Sequence, residues 1–242
     1  MTKSLLTIFI FLSQLLFAQK NDDKIIFGFQ FKPIIAASYF KAGDISAQKG
    51  DYQFELSPRF GQSLGMVLRY QLSPTFSAET GVNLVNRRYQ LQIENNTISL
   101  SDFTKFNLRS YEIPLQLLSY VRLNQKYYLN ASFGNAINIF PSDIISFAQN
   151  NDFFFQSTSR RLKIQSAFIA HLGLEYRTEE NGIFYLGASF HRPWKNTARS
   201  FPEYNDGTYS FNTQAPSGND SFYLDISGNY FTIDIRYFFS SK

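Results

Sequence analysis

The sequence predicts an all-β fold: a single eight-stranded antiparallel barrel. Three observations lead to this prediction. Apolar and polar residues alternate with a period of two through eight segments, aromatic residues make up 18% of the chain, and long and short connections alternate. This period is typical of strands with one apolar face, and Phe and Tyr favour strands. The segments cover 26–41, 59–72, 75–93, 108–122, 126–140, 162–177, 182–194 and 222–239.

The final segment shows the alternation most clearly. One row is apolar and consists of Phe231, Ile233, Ile235, Tyr237 and Phe239. The other row includes Thr232, Asp234 and Arg236. Elsewhere the polar row is rich in Gly, Ser and Asn, small residues that suit the narrow interior of an eight-stranded barrel. We therefore expect the apolar row to face outward and the barrel to cross a membrane.

Aromatic residues mark both ends of the apolar rows. Near the short connections they are Tyr70, Phe76, Tyr120, Tyr127, Tyr176, Phe184, Tyr237 and Phe239. Near the long connections they are Phe60, Phe140, Phe168 and Phe190. Two such girdles are typical of barrels at membrane interfaces. A soluble, lipocalin-like ligand binder is the alternative, because its barrel also alternates but turns the apolar row inward.

The connections between segments alternate strictly in length. The short ones are Ser73-Pro74, Asn124-Gln125 and Glu179-Glu180-Asn181, and the long ones cover 42–58, 94–107, 141–161 and 195–221. Transmembrane barrels of the outer membrane have short periplasmic turns and long extracellular loops. The pattern predicts the same arrangement here, with both ends of the mature chain in the periplasm.

The N-terminal segment predicts export. Lys3 supplies a positive charge, the stretch from Leu5 to Phe17 is largely apolar, and Ala18 is a candidate cleavage residue. These features are typical of a secretory signal peptide. We expect residues 1–18 to be removed and residues 19–242 to form one barrel domain in the outer membrane of a Gram-negative bacterium.

The composition excludes several kinds of chemistry. The chain has no cysteine, which excludes disulfides, thiolate zinc sites and cysteine nucleophiles. Its two histidines, His171 and His191, are too few for a metal site, so we expect no metal and no cofactor. The formal net charge of +4 is small and evenly spread, which argues against a nucleic-acid partner.

Three stretches of the chain resemble a known group of proteins. They are the end of the signal peptide, Phe17-Ala18-Gln19, the stretch from Tyr111 to Leu115, and the aromatic final strand from Ile233 to Phe239. With the strand pattern, they resemble the small outer-membrane β-barrel proteins that include the PorT-like proteins. The resemblance implies an eight-stranded barrel in the outer membrane, and some members of the group serve protein secretion or gliding machinery.

The polar row carries charges of both signs. Its ionisable members are Lys32, Arg69, Glu79, Glu112, Arg122, His171, Glu175, Arg177, Asp234 and Arg236. A charge inside a barrel is costly unless it is paired, so we expect these groups to interlock. Side chains normally fill an eight-stranded barrel, which leaves a narrow channel as an alternative only.

Ser189 and His191 share the inward row two residues apart. Because a serine and a histidine can form a nucleophile and its base, a lipid-modifying outer-membrane enzyme that uses His191 is a further alternative. The surrounding residues match no catalytic motif. We therefore predict a non-enzymatic protein without catalytic residues, with a structural or interaction role at the cell envelope, as part of a larger envelope protein complex.

Basic residues gather where the strands meet the long connections: Arg59, Arg87, Arg88, Arg109, Arg160, Arg161, Lys163, Arg192 and Lys195. Guanidinium groups bind phosphate through paired, charge-assisted hydrogen bonds. We predict that Arg87, Arg88, Arg160 and Arg161 contact lipopolysaccharide, with ordinary solvated charge as the alternative. In the connection at 141–161, we expect the run Phe153-Phe154-Phe155 to fold back over the mouth of the barrel, with an exposed binding patch as the alternative.

Overall fold

The computed structural model describes residues 24–35, 39–148, 153–178, 180–208, 210–211 and 222–240. The predicted signal peptide at 1–18 lies outside these residues. Among the described residues, no helix has both the length and the apolar character needed to cross a membrane.

The described chain is built from strands, with one short 3-10 turn at Tyr39–Lys41. The strands are β1 (Ile25–Ile35), β2 (Ile45–Lys49), β3 (Tyr52–Gln71), β4 (Phe76–Asn95), β5 (Leu100–Arg122), β6 (Tyr127–Ile139), β7 (Ile144–Phe147), β8 (Phe154–Arg160), β9 (Ile164–Arg177), β10 (Ile183–Pro193), β11 (Ala198–Asn205), β12 (Ser210–Phe211), β13 (Leu224–Ile226) and β14 (Tyr230–Phe238).

Eight of these strands form an antiparallel ring. Their order is β1-β14-β10-β9-β6-β5-β4-β3, and β3 pairs again with β1. The β1–β3 register runs from Ile25 opposite Tyr70 to Ile34 opposite Gly61. The eight predicted segments correspond to these eight ring strands. The connections β3–β4, β5–β6 and β9–β10 are short and lie at one end of the ring, which we call the turn end; the opposite end is the cap end.

The ring is uneven in height, and this corrects the prediction of a long loop at 94–107. β4 and β5 extend past most of the other ring strands at the cap end, as far as Asn95 and Leu100, so only residues 96–99 form a turn between them. The backbone N–H of Thr97 donates to Asn95 Oδ1 at 2.9 Å in this turn. β3, β4 and β5 have 20, 20 and 23 residues, whereas β1 and β14 have 11 and 9.

The other predicted boundaries also change on this side of the ring. The sequence predicts that the first segment reaches residue 41, but β1 ends at Ile35, and Phe40 and Lys41 adopt positive φ angles of 56° and 58° that interrupt a strand. The predicted loop at 42–58 contains the hairpin of β2 and the upper part of β3. The last segment begins at Tyr230, because Leu224–Ile226 pairs with β11 instead.

The two remaining long connections form a second sheet. Its order is β12-β11-β8-β7, with β13 also paired to β11. This sheet packs against the upward extensions of β3, β4 and β5 around an apolar core that includes Phe54, Leu91, Phe106, Phe154 and Leu224. We call the second sheet and these extensions the cap. The predicted fold-back of the phenylalanine run is confirmed for Phe154, which is fully buried in this core, whereas Phe153 is exposed.

The apolar row changes sides along the three long strands. In the lower half of β4, Val82 and Leu84 face outward and Asn83 is buried inside; in the upper half, Leu91 and Ile93 are buried inside. The upper outward row of β4 is polar and consists of Arg88, Gln90, Gln92 and Glu94. β5 changes in the same way between Arg109 and Tyr111.

The change occurs at the same level in all three strands. In the sheet register, Asn86 lies opposite Arg109, and Arg59 lies opposite Arg88. β3 has a register shift between Arg59 and Gln62, which turns both Arg59 and Phe60 outward. A β-bulge of this kind re-aims side chains without ending the pairing. We call the level of these residues the boundary.

Most of the predicted aromatic girdle residues lie outside the ring, with two exceptions. Near the turn end, Tyr70, Phe76, Tyr127, Phe184 and Phe239 are exposed on the outer surface. The prediction is wrong for Tyr120 and Phe140, which are both buried. Tyr120 shares the even-numbered inward row of β5, and Phe140 joins the core of the cap.

Candidate functional site

The interior of the ring holds a chain of paired charges that starts at Glu79. One carboxylate oxygen of Glu79 accepts hydrogen bonds from Arg69 Nε and Nη2 at 3.2 and 3.1 Å, and the other accepts from Arg236 Nη1 at 2.5 Å. Arg69 Nη1 also lies 2.7 Å from Glu175 Oε1. The second oxygen of Glu175 accepts from Arg177 Nη2 at 2.8 Å. Each acid in this chain therefore joins two arginines.

Asp234 extends the chain across β14. Its Oδ2 accepts from Arg236 Nη2 at 2.8 Å and lies 3.6 Å from Lys32 Nζ, and its Oδ1 accepts from Ser189 Oγ at 3.0 Å. His171 contacts Arg236 and lies 3.7 Å from Asp234. The predicted interlocking of opposite charges is confirmed. These pairs connect β1, β3, β4, β9, β10 and β14 from inside.

Aromatic rings stack on the guanidinium groups of two of these arginines. The guanidinium of Arg69 lies 4.0 Å from the ring centroid of Phe238, and that of Arg236 lies 4.6 Å from the centroid of Tyr185. Guanidinium groups stack favourably on aromatic faces in this way. The interior is thus packed by side chains. Arg122 continues the even-numbered inward row of β5, as predicted, but it lies at the end of the strand and is exposed at the turn end. Its guanidinium lies 5.9 Å from the ring centroid of Tyr128, and its Nε donates to the carbonyl of Asn124 at 3.0 Å.

The structure separates Ser189 from His191. His191 Nε2 lies 3.1 Å from Glu112 Oε2 and 3.2 Å from Asn138 Nδ2, and its ring stacks on Tyr230 with centroids 4.4 Å apart. The hydroxyl of Ser189 instead contacts Thr232 and Asp234. Among the described residues, the two side chains share no hydrogen bond, so the geometry does not form a nucleophile with its base. No group of three or more His, Cys, Asp or Glu side chains in the described chain could hold a metal ion.

The four arginines predicted to contact lipopolysaccharide do not share one surface. Arg87 is 3% exposed and lies inside, where Nη1 donates to the carbonyl of Gly228 at 3.2 Å and the guanidinium faces Phe140. An inward side chain cannot reach a lipid outside the ring. Arg88 is exposed on the outer face of β4.

Arg160 and Arg161 lie at the end of β8 in the cap. Arg160 Nε is 3.6 Å from Asp143 Oδ1, and its Nη1 donates to the carbonyl of Phe140 at 2.9 Å. Arg161 is exposed. Of the predicted set, only Arg88 therefore lies in a concentration of outward basic residues at the boundary.

Arg59, Lys105 and Arg109 accompany Arg88 on the outer face of β3, β4 and β5. We call these four residues the basic cluster. Arg59 and Arg109 belong to the wider set of basic residues noted in the sequence. Lys105 does not, because the sequence predicts a loop at 94–107, and a loop position gives no indication of which way a side chain faces. Recognising that the alternation continues through 102–109 could have placed it.

Comparison with known proteins shows that the chain has the fold of small outer-membrane β-barrel proteins. It is similar to OprG, an outer membrane protein from Pseudomonas aeruginosa, with a TM-score of 0.52 at 13% sequence identity over 90% of this chain and 96% of OprG. At this identity the likeness concerns the fold alone. No protein-family model matches the chain, and no curated protein matches it in sequence.

Two further solved structures are similar over most of their length but superpose less well. The outer membrane protease OmpT from Escherichia coli gives a TM-score of 0.40 at 12% identity, covering 89% of this chain and 95% of that protein. The toluene transporter TbuX from Ralstonia pickettii gives 0.21 at 11% identity, covering 92% and 90%. At these scores neither adds to the assignment of the fold.

Proposed function

We propose that the protein is a non-enzymatic outer-membrane β-barrel with a structural or interaction role at the envelope of a Gram-negative bacterium. In this proposal residues 1–18 direct export, and residues 19–242 form one domain. The ring crosses the membrane with its turn end in the periplasm, and the cap stands outside the cell as part of a larger envelope protein complex. The PorT-like resemblance remains a prediction from the sequence.

The observation that carries the proposal is the arrangement of apolar and charged residues in the ring. Leu186 is 61% exposed on its outer surface, whereas Asp234 is completely buried inside. In water this arrangement would expose large apolar side chains and desolvate charges at the same time, and both are unfavourable. In a bilayer the outward row is surrounded by hydrocarbon, which is the pattern expected of transmembrane barrels.

The boundary supports the same orientation. Above it, the long strands bury their apolar row and expose their polar row, as a protein in water does. A soluble lipocalin-like barrel would bury its apolar row along the whole strand. The paired charges and stacked aromatics inside the ring argue against the narrow channel, and the separation of Ser189 from His191 argues against the lipid-modifying enzyme.

The cap offers a surface for the interaction role. Ile145, Phe147 and Tyr223 are exposed there, and the rings of Phe147 and Phe155 lie 5.8 Å apart. Aromatic side chains exposed together are common at protein interfaces. This observation favours a partner outside the cell over a purely structural role.

The test is to fractionate cells that express the protein and to run the purified mature chain, residues 19–242, on a gel with and without boiling. We expect it in the outer-membrane fraction, with a mobility that changes on boiling because the folded barrel resists detergent. A soluble periplasmic protein whose mobility does not change would overturn the proposal and favour the lipocalin-like alternative.

A further inference from the structure

The outer face of β3, β4 and β5 carries a groove at the boundary. One part has a volume of about 870 Å³ and is bordered by Lys105, Arg109 and the segment after β6. The adjoining part has a volume of about 650 Å³ and is bordered by Arg59 and Arg88. Lys105 and Asn107 border both parts, so the two parts adjoin, and together they are called the groove. The basic cluster lines this groove.

The sheet register places the charges of the basic cluster side by side. Arg59 lies directly opposite Arg88, and Lys105 lies opposite Gln90, one outward position above Arg88. Residues directly opposite one another in antiparallel strands have Cβ atoms about 4.5–5.5 Å apart, and like charges in such pairs repel. An anion between the two guanidinium groups would remove this repulsion.

No acidic residue in the described chain neutralises these arginines. Arg69, Arg160, Arg177, Arg199 and Arg236 each form an ion pair with a carboxylate. Within the same described residues, Arg59, Arg88 and Arg109 form none. Asp143 borders the groove, but its carboxylate is engaged with Arg160, where it accepts the backbone N–H at 3.0 Å. The groove therefore keeps an excess of positive charge.

The lower wall of the groove is apolar. Leu64, Leu84 and Tyr111 line it below the basic cluster and belong to the outward apolar row of the ring. A free phosphate ion would use only the basic upper part of this surface. A ligand with an anionic head and apolar chains would match both parts, with its head at the level where the strands change from apolar to polar.

We propose that this groove binds a phosphorylated lipid of the outer leaflet, with a phosphate between Arg59 and Arg88 and acyl chains along Leu64, Leu84 and Tyr111. The inference rests on the proposed function, because it needs the ring to cross the membrane with the cap outside. Arginine suits this role, since its guanidinium donates two parallel hydrogen bonds to phosphate oxygens. The site differs from the predicted lipopolysaccharide contacts in all residues except Arg88.

The test measures lipid binding by native mass spectrometry of the refolded mature chain in detergent micelles. The probe is diphosphoryl lipid A, compared with the same lipid after enzymatic removal of its phosphates. The variant R59Q/R88Q is compared with R192Q/K195Q, which removes equal charge from exposed positions elsewhere at the cap end. The change of gel mobility on boiling is recorded for each variant, so that folding and lipid binding are judged separately.

We expect R59Q/R88Q to fold normally and to bind diphosphoryl lipid A at least about tenfold more weakly, because several charge-assisted hydrogen bonds are lost. The R192Q/K195Q variant and the unaltered chain should bind equally well. Equal binding by R59Q/R88Q, or equal binding of the dephosphorylated lipid, would overturn the lipid site while leaving the barrel intact. Inorganic phosphate that displaces the lipid at equal concentration would indicate a site for the free ion and also overturn the proposal.

Discussion

The ring and the cap share the strands β3, β4 and β5, but the apolar residues of these strands face outward in the ring and inward in the cap. In the lower half of β5, Leu115 and Leu117 face outward and Glu112 is buried; in its upper half, Phe106 and Leu108 are buried. β5 stays paired to β4 at the level of this change, and the pairing is interrupted only nearer the turn end, at residues 81–82 of β4. The alternation of inward and outward positions therefore continues unchanged, and only the type of residue in each row changes.

From this difference we infer that the surroundings of a strand determine which of its two rows is apolar. The cap is stabilised by an apolar core, as a protein in water is. Among the described residues, the apolar clusters inside the ring are small, with three buried residues each, and paired charges and small residues lie beside them. If the surroundings are the cause, the same type of substitution should change stability by different amounts in the ring and in the cap.

The largest effect is expected where the charge network of the ring is broken. Glu79→Gln keeps the size of the side chain but removes the negative charge that pairs with both Arg69 and Arg236. Breaking a buried ion pair costs about 3–5 kcal/mol, and here Arg69 and Arg236 would keep Glu175 and Asp234 as their remaining acidic partners, which leaves an excess of buried positive charge. We expect the free energy of unfolding, measured by urea titration in detergent, to fall by about this amount. An unchanged urea midpoint would mean that water reaches the interior of the ring.

The apolar core of the cap should be sensitive to the loss of packing. Leu91 is fully buried there, so Leu91→Ala should lower stability by about 2–5 kcal/mol through lost burial and the cavity left behind. The outward neighbour Gln92→Ala is the matched control and should change it by less than about 0.5 kcal/mol. Protease sensitivity of the cap, followed beside the urea titration, would show whether the cap loosens before the ring. Similar effects of the two substitutions would contradict a packed core.

Much of the fold could be predicted because alternation with a period of two is a local signal. Within β4, the row that contains Glu79 and Asn83 continues through residues 85, 87 and 89 without interruption. Following this parity would have placed Arg87 inside. The residue type, an arginine near a presumed loop, favoured a lipid contact instead. Residue type likewise favours a place in the outer girdle for Tyr120, although Tyr120 shares an inward row with Glu112 and Gln116.

The cap could not be predicted in the same way. Its strands β7, β8, β11, β12 and β13 are short, and the pairings β8–β11 and β11–β13 join residues that are far apart in the chain. The period also does not tell which row faces inward, since the apolar row is outside below the boundary and inside above it. The basic cluster depends on both, because Arg59 continues the outward row of the upper half of β3, and the register shift changes the parity of that row below it.

A smaller effect is expected from a charge placed on the outer surface of the ring. Leu186→Arg exposes a guanidinium to hydrocarbon if the ring crosses a bilayer, which costs about 2–4 kcal/mol at the middle of the membrane. Gln92→Arg adds the same group to the outer face of the cap and should change stability by less than about 0.5 kcal/mol. Folding into lipid vesicles under urea titration measures both. If both variants were equally stable, water would surround the ring as well as the cap.

The smallest effect is expected for an ion pair of the cap. Asp143→Asn removes the charge that faces Arg160, whose side chain is 27% exposed, while an amide oxygen can still accept the backbone N–H of Arg160. Exposed pairs contribute about 0.2–1 kcal/mol, because water and salt screen them. The substitution is chemically the same as Glu79→Gln, the loss of one carboxylate charge, so the two differ in their surroundings. We expect the small loss at Asp143 to disappear at high salt and the large loss at Glu79 to persist, since buried pairs are screened much less. Equal losses with equal salt dependence would mean that the interior of the ring is as open to water as the surface of the cap.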